Sequence, residues 1–138
     1  MVANKVDLAK GTAGEVGCIF CNPDSSRILA GNELAYVLQD GFPVTEGHSL
    51  VIPRRHAADY LGLTQEELLA CDELIREASR LLVTRDPAIA GFNIGANCGA
   101  AAGQTIFHCH IHLIPRRVGD VDNPRGGVRH IIPGKGFY

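Results

Sequence analysis

The sequence predicts an α+β protein, an antiparallel sheet of about five strands with one long helix packed across it. Three observations carry that expectation. The stretch Phe107-His-Cys-His-Ile-His-Leu113 alternates strictly and describes a strand with two unlike faces. Gln65 to Thr84 carries apolar residues at helical spacing. Around these lie short apolar runs bounded by Gly, Pro, Asn and Asp, with no visible strand–helix–strand unit.

In chain order, Met1 to Gly14 lacks periodicity and reads as a loose N-terminal arm. Cys18-Ile-Phe-Cys21 follows, then the turn-rich Asn22-Pro-Asp-Ser-Ser. Arg27–Ala30 and Leu34–Gln39 read as two strands around Gly31-Asn32, a hairpin signal. Asp40-Gly-Phe-Pro43 is a loop, and Gly47-His-Ser-Leu-Val-Ile-Pro53 is a short strand that a proline ends. The helix opens with Thr64 and Glu67, spaced as a capping box in which side chains pair with open backbone amides. Its stripe is Leu68, Cys71, Ile75, Ala78 and Leu82, widened by Leu74 and Leu81, which makes Cys71 a core residue. Pro87 breaks the pattern, Gly91 to Asn97 alternates as a strand, and Cys98 to Gly103 is a turn of small residues. The histidine strand runs from Gln104 until Pro115, which removes a ladder donor and should close it. Residues 118–138 form a tail rich in Gly, Pro and Arg, with Ile131-Ile132 and the terminal aromatics as the means to pack it.

A chain of 138 residues suits one domain with a proper core. Its 46% hydrophobic and 20% charged residues are those of an ordinary globular protein. A net charge of -2 argues against a general nucleic-acid or membrane-surface binder. No apolar run follows Met1-Val-Ala-Asn-Lys, and no stretch is long enough to span a bilayer. Five cysteines, an odd number without a secretory signal, point to a reducing cytoplasm in which thiols are ligands or are buried.

His108, His110 and His112 are three of the six histidines. On a strand they would project from one face, roughly 6.6 Å from one to the next, while Phe107, Cys109, Ile111 and Leu113 enter the core. A merely polar face, a metal site and covalent catalysis by one imidazole all fit that spacing. Cys18-x-x-Cys21 is similarly open: a redox pair needs a strand–helix setting that is missing, whereas two thiolates can share one tetrahedral zinc. Asn97, Asp40 and His48 each also have a plain reading, the first two as turn residues and the third as a core histidine.

Together, His108-Cys-His-Ile-His-Leu-Ile, Gly47-His-Ser-Leu-Val-Ile-Pro, the Asn97–Gln104 turn and the preceding helix resemble the histidine triad superfamily. The resemblance covers roughly residues 15 to 117 and is nearest to its small bacterial nucleotide-binding hydrolases. It implies a homodimer and a hydrolase or transferase acting at the α-phosphate of a nucleoside phosphoryl compound. By matching positions, His110 would be the nucleophile, with His112 and His48 around the phosphate. Asn97, Gln104 and Thr105 would be hydrogen-bond donors, Asp40 would hold the ribose, and Leu38 and Phe42 would line a purine slot. In the zinc-bearing branch the ligands correspond to Cys18, Cys21, His56 and His108, a closed structural site. Two rival expectations are a mononuclear metal enzyme built on His108, His110 and His112, and a nucleotide-binding module without turnover. For Arg117, Arg125, Arg129 and Lys135 the expectation is a solvated basic tail or a clamp for the leaving group.

Overall fold

The computed structural model describes residues 16–138, so the expected N-terminal arm lies outside the described residues. Five strands form one sheet: β1 (Ile28–Gly31), β2 (Ala35–Gln39), β3 (Ser49–Pro53), β4 (Ile89–Gly95) and β5 (Ile111–Arg117), ordered β1-β2-β3-β5-β4. Every pairing is antiparallel. Helix α1 (Gln65–Arg85) lies between β3 and β4 in sequence. Its capping box is complete, with Glu67 N–H donating to Thr64 Oγ1 at 3.1 Å and Thr64 N–H to Glu67 Oε1 at 2.8 Å. Removing such an N-cap costs ~1 kcal/mol.

Alternation along the strands divides the interior in two. Ala35 and Val37 of β2, Val51 of β3, and Ile111 and Leu113 of β5 meet Cys71, Leu74, Ala78 and Leu82 of α1. The residues between them point the other way: Tyr36, Leu38, Leu50 and Ile52 cluster with Phe20. Among the described residues, no helix covers this second face. The Cys18–Cys21 segment covers part of it, tied down by the Tyr36 hydroxyl, which donates to the Phe20 carbonyl.

The histidine stretch differs from the expected strand. β5 begins at Ile111, so His108 and His110 lie in the approach to it, which bends at residues 106–108, and Phe107 is 48% exposed rather than in the core. Cys109, Ile111 and Leu113 do enter the core. Nor does Pro115 end the strand. β3 pairs with β5 only as far as Ser49↔Leu113, whereas β4 continues to Arg117. At Pro115 one side of β5 therefore needs no ladder donor, the setting in which a strand tolerates proline. β4 also starts earlier than the expected Gly91, because Ile89 pairs with Arg117 around a bulge.

The tail folds on itself. Gly127–Ile131 is a short 3-10 helix, the His130 and Phe137 rings stack edge-on at 4.4 Å, and the Arg125 and Arg129 guanidinium groups lie over Tyr138. Among the described residues, no helix is long and apolar enough to cross a membrane.

Candidate active site and metal centre

Two clusters sit on the face away from the helix. The first is built from three separate segments. The turn of Cys18–Cys21, closed by Cys21 N–H to Cys18 O at 3.2 Å, presents two thiols. His56 comes from the loop after β3, and His108 from the approach to β5. Cys21 Sγ lies 3.1 Å from His56 Nδ1 and 3.4 Å from His108 Nδ1, Cys18 Sγ lies 3.5 Å from His108 Nδ1, and the two Nδ1 atoms are 3.1 Å apart. All four donor atoms lie within 4.8 Å of one another. Bonds of ~2.3 Å to sulfur and ~2.0 Å to nitrogen put tetrahedral ligand atoms roughly 3.3–3.8 Å apart. The donor set therefore fits a zinc ion.

His108 is prepared for that role. Its Nε2–H donates to the Pro53 carbonyl at 2.8 Å, which leaves the Nδ1 lone pair facing the thiols. The ring is fully buried, and burial pushes its pKa down to about 4, keeping it neutral as a ligand must be. Because His108 is aimed into this cluster, the three alternating histidines do not converge on one ion.

The second cluster lines a cleft of about 510 Å³. His110 and His112 form part of its wall, with Asp40, Asn97, Gly103 and Thr105 around them and Phe20, Leu38, Leu50 and Ile106 as an apolar side. Phe42 is 91% exposed at its rim. His110 Nδ1–H donates to the His108 carbonyl at 2.9 Å, so a neutral ring carries its lone pair on Nε2. The 5.0 Å ring contact with Phe20 supports it from the side.

His48 stands behind His112, 4% exposed. Gly47, at φ +93, turns the chain into β3 where a Cβ would come within 3.2 Å of Pro115 and 3.3 Å of Leu82. His48 Nδ1 accepts the Val44 N–H at 3.1 Å, so its hydrogen is on Nε2. That hydrogen faces His112 Nδ1 at 2.9 Å, with Asp40 Oδ2 at 3.3 Å as a second acceptor. His112 must then carry its own hydrogen on Nε2. Burial lowers the pKa of both rings, and outweighs the Asp40 carboxylate, which favours their charged forms. Asp40, His48 and His112 also lie close enough to offer three metal-ligand atoms, but this hydrogen-bond chain accounts for their approach.

Asp40 serves its turn as well, since Oδ1 accepts the Phe42 N–H at 2.7 Å. Gln104 departs from the expected place among the cleft's donors. It is 4% exposed and absent from the cleft lining. Both amide hydrogens are engaged, by Ala58 O at 2.7 Å and Ile106 O at 3.0 Å, and its Oε1 accepts the Gly99 N–H at 2.8 Å. The tail residues do not line the cleft either. Conversely, Phe20, Asn22, Asp24, Arg27, Leu50 and Ile106 line it without having been singled out. For Phe20, Asn22, Asp24 and Arg27 the signal was the Cys18-x-x-Cys21 turn, and for Leu50 and Ile106 their places in the Gly47–Pro53 and histidine stretches.

A family model described as HIT domain matches residues 23–119. The chain belongs to the HIT family. An uncharacterised HIT-like protein of Mycoplasma genitalium is 41% identical over 104 residues, 72% of each chain. The HIT fold is equally plain in three dimensions. A Zn-bound histidine triad family protein from Mycobacterium smegmatis superposes with a TM-score of 0.70 at 33% identity, covering 78% of this chain and 80% of that one. The adenylylsulfatase HINT3 of Arabidopsis thaliana, another HIT relative, is 32% identical over 112 residues, 75% of this chain and 54% of its own.

Proposed function

We propose that this HIT protein is a nucleotidyl hydrolase or transferase that cleaves nucleoside phosphoramidates or dinucleoside polyphosphates at the α-phosphate, with His110 Nε2 as nucleophile. The observation that carries this reading is the 2.9 Å bond from His110 Nδ1–H to the His108 carbonyl. It fixes the tautomer that a nucleophilic imidazole needs, on a ring that lines the cleft.

In the first step the Nε2 lone pair forms a P–N bond while the bond from phosphorus to the leaving group breaks. The leaving group departs with the electron pair and takes up a proton. Water then forms a P–O bond as the P–N bond breaks, the imidazole leaves as the neutral ring with the P–N electron pair, and the water's proton passes to solvent. His112 Nε2–H donates to a non-bridging phosphoryl oxygen, held in place by the chain Val44 N–H, His48, His112. A charge-stabilising donor set in advance costs little reorganisation as the reaction proceeds. Asn97 and Thr105 add donors on the opposite side, Asp40 holds the ribose, and the purine lies against Leu38 beneath Phe42. Gln104 acts indirectly, by fixing the turn that presents Asn97 and Thr105.

Zinc held by Cys18, Cys21, His56 and His108 would supply a closed structural cross-link between the N-terminal turn and the two strands. Through it Phe20 would be kept against His110. A homodimer would add a side-by-side partner at β4, the sheet edge, where Ile94 is 48% exposed.

The test is release of nucleoside monophosphate from a purine nucleoside phosphoramidate, followed by phosphorus NMR. His110→Ala should lower the rate by at least about 10³-fold. Tight binding without monophosphate release would identify a binding module instead.

A further inference from the structure

The cleft also carries an acceptor and a donor that the phosphate chemistry does not use. Asp24 and Arg27 both line it, and among the described residues Arg27 is the one lysine or arginine in that lining. Arg27 Nη2 is anchored on the Gln39 carbonyl at 2.5 Å and lies so near Gly41 that a Cβ there would be 3.3 Å away. Among the described residues its Nε and Nη1 meet no hydrogen-bond acceptor, and no donor meets Asp24 Oδ2. Asp24 Oδ1 accepts from the Ser26 N–H at 3.0 Å and hydroxyl at 2.8 Å, which fixes the carboxylate at the start of the turn into β1. Those bonds, the hydroxyl first, hold its pKa below the ordinary carboxylate value, so it is an acceptor at neutral pH.

The loop around Asp40 touches the histidines and Arg27 alike. The Asp40 carboxylate touches His48, whereas its neighbours Gln39 and Gly41 carry the guanidinium. With the phosphate at His110 and the ribose at Asp40, Arg27 and Asp24 lie at the base end of the cleft. We propose that Asp24 and Arg27 read the edge of the base and make the cleft prefer a 6-oxopurine nucleotide over a 6-aminopurine one. Guanine offers O6 and N7 as acceptors to a guanidinium, and N1–H and N2–H as donors to a carboxylate. Adenine places an amine where guanine places O6, so the Arg27 donors would face a donor. The inference rests on the reading above for the positions of the phosphate and the ribose.

Two measurements test it together: kcat/KM for the 5′-phosphoramidates of guanosine and adenosine, and Kd for GMP and AMP. The wild-type chain should favour the guanosine compound in each by at least about tenfold. Asp24→Asn keeps the Oδ1 acceptor that caps the turn, and Arg27→Gln keeps a donor for Gln39, so both variants should fold. Each should bring the guanosine-to-adenosine ratio down toward one. A wild-type ratio at or below one overturns the inference, as does a ratio that neither variant moves, which would place Arg27 on the phosphate or ribose. Turnover of both substrates with no base preference sinks this inference and leaves the catalytic reading intact. Preferential GMP binding that both variants abolish, without turnover of either substrate, does the reverse.

Discussion

The proposed attack of His110 on phosphorus needs one ring nitrogen kept without a hydrogen, and the His108 carbonyl, two residues away, sets that tautomer by accepting from Nδ1–H. The same economy governs Gln104, where one side chain satisfies two backbone groups of the Gly99–Ile106 segment and the Ala58 carbonyl of the loop after β3. Gln104→Ala would leave those groups unpaired beside a buried site. We expect a stability loss of ~2 kcal/mol, read as a lower denaturation midpoint, with activity falling through a disordered Asn97 and Thr105. An unchanged midpoint would contradict the buttress role. The Cys18-x-x-Cys21 pair was legible as two thiols on one turn, and the family resemblance supplied its histidine partners. The places of Gln104 and Arg27 were not legible, because nothing in a one-dimensional pattern says whether an amide faces inward or which loop a guanidinium reaches.

Among the elements, α1 and the sheet were readable because their periods match their burial: Leu74 and Ala78 are nearly inaccessible, as are Val37, Val51 and Leu113. The start of β5 was not readable, because the sequence alternates through residues 107–110 while the chain bends there and pairs with no strand before Ile111. Pro115 misled in the opposite direction, since its tolerance depends on where β3 stops, a long-range fact. The helix start also makes a prediction. Glu67 is 5% exposed, and Arg55 Nε and Nη2 each donate to it at 2.8 Å. Burial alone would raise its pKa, but the Arg55 and Thr64 hydrogen bonds together outweigh that and hold it below the usual value. The unfolded chain therefore takes up this proton more readily. The stabilisation is complete above the unfolded carboxylate pKa, about 4.3, and is lost as pH falls through the lower folded value. Glu67→Gln should cost ~1–2 kcal/mol at neutral pH and flatten the acid side of a stability–pH curve measured by denaturant unfolding. An acid limb identical to that of the unaltered protein would contradict this.

Across the described residues, one face of the sheet is closed by a helix and the other, in part, by the short Cys18–Cys21 turn with little core of its own. A metal is the natural closure for such a segment, since ligand bonds replace apolar area that a few residues cannot bury. Elemental analysis should find about one zinc per chain, and Cys18→Ser should lower both the metal content and the melting temperature. Metal retained without that thiolate, but released by His110→Ala, would favour the mononuclear enzyme. The nucleophilic role of His110 is tested most directly by intact mass spectrometry of a His112→Asn variant, quenched in alkaline denaturant during reaction with a purine nucleoside phosphoramidate. The variant should gain the mass of one nucleotidyl group, and the gain should vanish when His110 is also replaced. An adduct that persists without His110, or monophosphate release with no adduct at any time, would contradict it.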